Sequence, residues 1–291
     1  MQTYSGCYLC ILNQSQNALN LMGTDETTRL LITRQIAGIL RDFDPAYSPS
    51  NLIYETNRML CNIVGNADPY QGMREAGMAQ ALAVLPRLER LVADAEDPLD
   101  IAIRLSIAGN IIDVIPGQTY NLWEVIGQSL EEPYTGDGLD AFRQALGRAR
   151  HVLYLADNAG ESVFDRLLIQ QINQPVVYAV KSAPILNDAT QTDAIRAGID
   201  QFARIVCNGS DGPGTILPKC NQEFLDLYQS ADLIISKGQA NYETLSEQGE
   251  RIFFLMKVKC PVIGHDIEAP MGSLLLQQGK ARPRLELAAA V

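Results

Sequence analysis

The sequence predicts an α/β protein: an N-terminal all-helical region, then a Rossmann-like α/β/α domain with a mainly parallel sheet. Two observations carry that expectation. Up to about residue 150 the apolar residues recur at helical spacing. Beyond it, short β-rich runs alternate with helical ones, the pattern of strands joined by crossover helices. The strand runs are continuously apolar, as expected where both faces of a sheet are covered. At 291 residues and 47% hydrophobic, the chain suffices for one large domain or two to three small ones.

Taken in order, residues 24–43 place Leu31, Ile32, Ile36, Ile39, Leu40 and Phe43 on one helical face, and Asp44-Pro45 ends that helix. Ser48-Pro49 opens the next, with serine as N-cap and proline at the first position, running to about Val64. Asp68-Pro69-Tyr70 is a turn. Residues 72–95 form a third helix, with Pro86 as a kink or break. Asp97-Pro98 opens a helix to about Val114, stopped by Pro116-Gly117, and an amphipathic stretch follows over 139–149. Strands are expected at 152–155, 176–180, 204–207, 233–235 and 252–256, with helices over 162–172, 191–202, 218–228 and 242–248 between and after them. The expected division is a helical domain (1–96), a helical connecting region packed on the sheet domain (97–149), the Rossmann-like domain carrying the site (150–281) and a tail (282–291).

A net charge of -11 makes nucleic acid or an anionic membrane a poor partner. The longest apolar run, 101–115, is interrupted by Arg104, Asn110 and Asp113, so no membrane span is expected. The N-terminus lacks the basic and apolar regions of a signal peptide, which makes the cytoplasm the default compartment. The six cysteines do not read as a disulfide framework in such a chain. Cys7 and Cys10 form a CxxC, read as packing or as part of a metal site with Cys260 as its distant partner.

Chemistry gathers where the strands of a parallel sheet end. The first strand runs into Asp157-Asn158-Ala159-Gly160-Glu161. The second ends at Lys181, with Asn187 and Asp188 in the following loop. The third runs into Asn208–Thr215, which has neither the P-loop nor the dinucleotide pattern. The fourth ends in Ser236-Lys237-Gly238-Gln239-Ala240-Asn241, and the fifth in Lys257 and Lys259. One polar strand end is most often a cap or turn; five in succession on one sheet edge are not. Acids and amides there suit a hard divalent cation, lysines a phosphate, and glycines the approach of backbone N–H groups. From the helical half, Asn110 and Asp113 share one face of an apolar helix; they are either an internal capping network or a face turned to that edge. No Ser-His-Asp or Cys-His arrangement is present.

Asp157-Asn158-Ala159-Gly160-Glu161, the Gly109-Asn110-x-x-Asp113 helix and the 236–243 segment resemble the damage-control, metal-dependent phosphatase family, long labelled domain of unknown function 89. Cys7-x-x-Cys10 with Gln14, Asp68-Pro69-Tyr70 and Lys257-Val258-Lys259-Cys260 resemble its prokaryotic branch. The resemblance implies a hydrolase of phosphate monoesters, often sugar phosphates or damaged phosphometabolites, with a divalent metal as cofactor, for which Mg²⁺, Mn²⁺ or Co²⁺ suit the oxygen and amide ligands. It implies Asp157, Asn158 and Asp188 as metal ligands, and Asp157, Lys237, Asn110 and Asp113 as catalytic residues. Glu161, Ser236, Lys237, Gly238, Asn241 and Lys259 would face the substrate. The nucleophile is either a water or the Asp157 carboxylate. Eukaryotic members carry Arg-Thr-x-Lys where this chain has Lys257-Val258-Lys259, so their substrates do not carry over. The competing expectation is a non-catalytic binding protein for a phosphorylated metabolite or nucleotide.

Overall fold

Four helices come first: α1 (Ser5–Leu21), α2 (Glu26–Asp42), α3 (Pro49–Val64) and α4 (Gln71–Ala93). The computed structural model describes residues 1–110 and 122–280. The Asp25 side chain caps α2 by accepting from the Thr28 amide at 3.0 Å. Pro86 does not break α4, which runs through it. Ile11, Leu19, Ile32, Ile36, Leu52 and Leu60 form a small core among α1, α2 and α3. The buried face of α4 (Met78, Ala81, Leu85, Leu88 and Val92) belongs instead to the core beneath the sheet.

Then follow α5 (Pro98–Gly109), α6 (Leu122–Glu131), β1 (Tyr134–Thr135) and α7 (Gly138–Arg148). The expected alternation comes next: β2 (Val152–Leu155), α8 (Ser162–Ile169), β3 (Val176–Val180), α9 (Gln191–Arg196), β4 (Arg204–Cys207), α10 (Gln222–Ser230) and β5 (Leu233–Lys237). The chain continues through α11 (Gly238–Leu245), β6 (Ile252–Lys257), α12 (Pro261–Asp266) and β7 (Leu274–Gln278). The helix expected over 191–202 divides into α9 and a 3-10 turn at Ile199–Gln201, because Gly198 between them is left-handed. That expected over 218–228 likewise divides into a 3-10 turn at Leu217–Lys219 and α10.

The sheet order is β1-β7-β6-β5-β2-β3-β4. The five expected strands are mutually parallel, β7 runs antiparallel to β6, and β1 pairs parallel with β7. Register sets Tyr154 between Tyr178 and Ile235. Because side chains alternate across a strand, Tyr154 joins the core under α4, α5 and α8, while Leu153 and Leu155 join the opposite core with Phe224, Tyr242 and Ile263. From β2 the chain winds outward through β3 to β4, then returns to place β5 on the other side of β2. The order therefore reverses between β2 and β5, where doubly wound sheets open a crevice beyond their C-terminal ends. No described helix is long and apolar enough to cross a membrane.

Candidate functional site

At that reversal, the residues after β2 meet the residues after β5. Gly238, the first residue of α11, has φ +76°, and a Cβ placed on it would lie 1.9 Å from Asp157 Oδ2. A residue without a side chain is therefore required for the carboxylate to lie against the start of α11, the end of a helix that favours negative charge.

The loops after β2 and β3 are joined by backbone. Asn158 and Asp188 form an isolated antiparallel bridge, the Ala189 amide donates to the Asp157 carbonyl at 2.8 Å, and the Ala159 amide to the Asn187 carbonyl at 2.9 Å. Asp157, Asn158 and Asp188 thus share one corner. The helical half fixes the far side of that loop. Leu186 holds φ +49°, costly for a branched side chain, while packing against the core of α1, α2 and α3. Its carbonyl accepts from Arg74 Nη1 at 3.1 Å, and Arg74 pairs with Asp68 of the 68–70 turn.

Asn110 reaches the corner because α5 is pressed onto α8: a Cβ on Gly109 would stand 2.8 Å from the Phe164 side chain. Asn110 Nδ2 donates to Asp157 Oδ2 and Glu161 Oε2, each at 2.8 Å. Asn158 Nδ2 donates to the same two oxygens at 3.0 and 3.3 Å. Lys259 Nζ donates to the Asn110 carbonyl. Asp113, expected on the same helix face as Asn110, lies outside the described residues.

The remaining expected residues form the floor. Lys237 is fully buried, and its ammonium donates to Glu161 Oε1, Asp165 Oδ1 and the Ser106 carbonyl. An ammonium has three protons, and all three are used. Burial alone would lower the Lys237 pKa, but Asp165 and Glu161 outweigh it and hold the group above its ordinary value. Glu161 is buried too, and burial pushes its pKa up against the pull of Lys237. Asn241 donates to the carbonyls of Ala156 at 3.1 Å and Lys237 at 2.8 Å, tying α11 to β2, and accepts from Thr215 Oγ1 at 2.7 Å. Ser236 is buried, and its hydroxyl has no hydrogen-bond partner.

These residues fit a hard divalent cation. Asp157, Glu161, Asp165 and Asp188 are buried against two buried lysines, Lys181 and Lys237, so full ionisation leaves two negative charges over. Burial pushes the Asp188 carboxyl up to about 6, with Lys181 opposing. Asp188 Oδ2 has no hydrogen-bond partner although Lys181 Nζ stands 3.4 Å away. With its Nδ2 turned to the acids, Asn158 keeps its amide oxygen pointing elsewhere, so two carboxylates and an amide could offer the oxygen ligands such ions prefer. Beside the Asp188 loop, a cavity of about 430 Å³ opens between α3 and the loops after β3 and β4, lined by Tyr54, Arg58, Asn62, Asp68, Ile185 and Asp211.

Two participants stand apart from the residues expected to act: Lys181 just after β3, expected only as one of several strand-end lysines suited to a phosphate, and Asp165, one helical turn beyond Glu161 on α8, not expected at all. The signal for the second was its i,i+4 spacing. Cys7, Cys10 and Cys260 are all free thiols. Burial first, then Glu243 and Cys260 nearby, push the Cys7 and Cys10 thiols up. Among the described residues no group of three or more His, Cys, Asp or Glu is arranged to hold a metal ion.

Residues 3–275 match the family model described as "Damage-control phosphatase ARMT1-like domain". A damage-control phosphatase of Pyrococcus horikoshii is 33% identical over 294 residues, covering 96% of this chain and 99% of that one. One of Archaeoglobus fulgidus is 31% identical over 281 residues, covering 92% and 96%. The crystal structure of a DUF89 family protein from Pyrococcus horikoshii superposes with a TM-score of 0.88 at 29% identity, over 96% of this chain and all of that one.

Proposed function

Because the chain belongs to the damage-control phosphatase ARMT1-like (DUF89) family, we propose that it hydrolyses phosphate monoesters of small metabolites, sugar phosphates or damaged phosphometabolites. Its ligands for a divalent cation would be Asp157, Asn158 and Asp188. One observation carries the reading: a buried Asp188 oxygen beside Asp157 that accepts no hydrogen bond, within a buried set that has two more carboxylates than ammonium groups.

Mg²⁺, Mn²⁺ and Co²⁺ all suit such oxygen donors, and the bound ion supplies Lewis-acid polarisation of a phosphoryl oxygen. The protein's own residues do the rest. Asn110 and Asn158 orient the Asp157 carboxylate by donating to its Oδ2. Lys259, reaching in from the rim to the Asn110 carbonyl, and Lys181 beside Asp188 are the cations placed to offset phosphate charge. Lys237 has no proton left for a phosphate, so we assign it with Glu161 to the floor that sets the acids. Water is consumed, and an alcohol and inorganic phosphate leave.

The test is turnover of p-nitrophenyl phosphate and a panel of sugar phosphates with each of the three metals. Chelator should abolish it and added metal restore it. Full activity after chelation, or a fully active Asp157→Ala, would overturn the proposal. A phosphate ester retained for hours with metal present and never hydrolysed would instead favour a binding protein.

A further inference from the structure

Beneath the floor lies a carboxylate that the proposed reaction does not use. Asp165 is fully buried on α8, one turn beyond Glu161. Its Oδ1 accepts from Ser106 Oγ at 2.9 Å, from the Tyr154 hydroxyl at 2.7 Å and from the Lys237 ammonium. Its Oδ2 accepts from the Tyr178 hydroxyl at 2.9 Å. The two tyrosines come from paired positions of adjacent strands, and Ser106 comes from α5. Sheet and helix thus converge four donors on one side chain.

Packing alone does not call for this group. Lys237 and Glu161 would already form a neutral buried pair, and a second buried acid restores a charge that must be stabilised at some cost. Its effect is on Lys237. Shared between Asp165 and Glu161, with its third proton on the Ser106 carbonyl, the ammonium is held away from the acids that face the crevice. From Glu161 the chain of contacts runs through Asn110 to Asp157.

We infer that Asp165 is a positioning residue: it anchors Lys237 below the floor, which sets Glu161, Asn110 and Asp157 and keeps the crevice negative enough to take a divalent cation. The inference rests on the phosphatase reading for its kinetic consequence only.

The experiment compares Asp165→Asn with the wild type in two measurements: calorimetric titration with Mn²⁺ alone, and kcat and KM on p-nitrophenyl phosphate. Asn keeps the shape and an acceptor but removes the charge. The expected result is Mn²⁺ binding weakened about tenfold or more, as when the supports of a metal ligand are lost, with kcat reduced and KM little changed. A lowered melting temperature with Mn²⁺ affinity and kcat intact would mean a structural role and overturn the inference. If Asp165→Asn does not fold, the Tyr154→Phe/Tyr178→Phe pair, which strips two donors and leaves the charge, should move both readouts the same way by less; no movement overturns it. A wild type that turns over no phosphate ester would sink the phosphatase reading, while the Mn²⁺ titration would still decide the role of Asp165.

Discussion

Asp157 Oδ2 occupies the space that a side chain on Gly238 would need, 1.9 Å from where its Cβ would stand. The second residue after β2 and the first of α11 are thus fitted to each other across the reversal point of the sheet. In Gly238→Ala the carboxylate must shift by more than an ångström, and φ +76° becomes strained. Since misplacement on that scale costs about 100-fold in rate, a drop of that order in kcat/KM is expected. Stability should fall by about 1–3 kcal/mol. A folded Gly238→Ala with wild-type kcat/KM would show that the contact is not needed.

Asn110 holds Asp157 and Glu161 together through one amide nitrogen. Asn110→Ala removes both hydrogen bonds, whereas Asn110→Asp also sets a third carboxylate against the other two. The aspartate variant should therefore be the less active and less stable, by about 1–3 kcal/mol relative to alanine. Steady-state kinetics and urea unfolding of the pair check the order.

Arg74→Met keeps an apolar stem in place of the arginine but releases the Leu186 carbonyl and Asp68. With Leu186 no longer held at φ +49°, the Asp188 loop should relax. Mn²⁺ affinity is expected to fall about tenfold, the usual scale for a lost support of a ligand, with little change at Asp157. Titration of the variant against wild type measures this directly.

Glu243 on α11 accepts from Ser50 Oγ of α3 at 2.7 Å, joining the helical half to the site helix. Burial pushes its pKa up to about 7, against the pull of the Ser50 hydrogen bond. A carboxyl whose folded pKa is raised stabilises while protonated, so the contribution is complete below the ordinary glutamate range and is lost as pH rises toward 7. Unfolding free energy should therefore decline between about pH 4.5 and 7, by no more than ~3 kcal/mol from this group. Glu243→Gln should flatten that slope. An unchanged pH profile in the variant would place the origin elsewhere.

Metal linkage gives a further prediction. At one hundred times its dissociation constant, Mn²⁺ should stabilise the wild type by about 2.7 kcal/mol. Asp188→Ala should lose most of that gain, and because it leaves the buried Lys181 ammonium without its carboxylate it should also make the metal-free protein less stable. Urea unfolding with and without metal tests both.

Much of this was legible in the chain. Continuous apolar runs located β2 to β6, and the polar residues after them named one edge, because a buried parallel strand has no other place for an acid or amide. The sequence could not place β1, since Tyr134–Thr135 carries no strand signal of its own and is a strand only because β7 lies beside it. Nor could it foresee that Pro86 would stay inside α4, whose buried face packs on the sheet core.

Within the site the division is sharper. Local pattern determined that Asp157, Asn158, Glu161, Asp188, Lys237 and Lys259 would collect at the C-terminal edge. Tertiary structure decided which of them line the crevice and which lie under it. Lys237 and Lys259 look alike in sequence, yet one is fully buried between Glu161 and Asp165 and the other reaches the rim. Asp165 enters only because Tyr154, Tyr178 and Ser106 arrive from three different elements. The physical reason is range: periodicity fixes how a side chain points from its own strand or helix, whereas the partners that keep a buried charge come from segments brought together only by the packing of α5, α8 and the sheet.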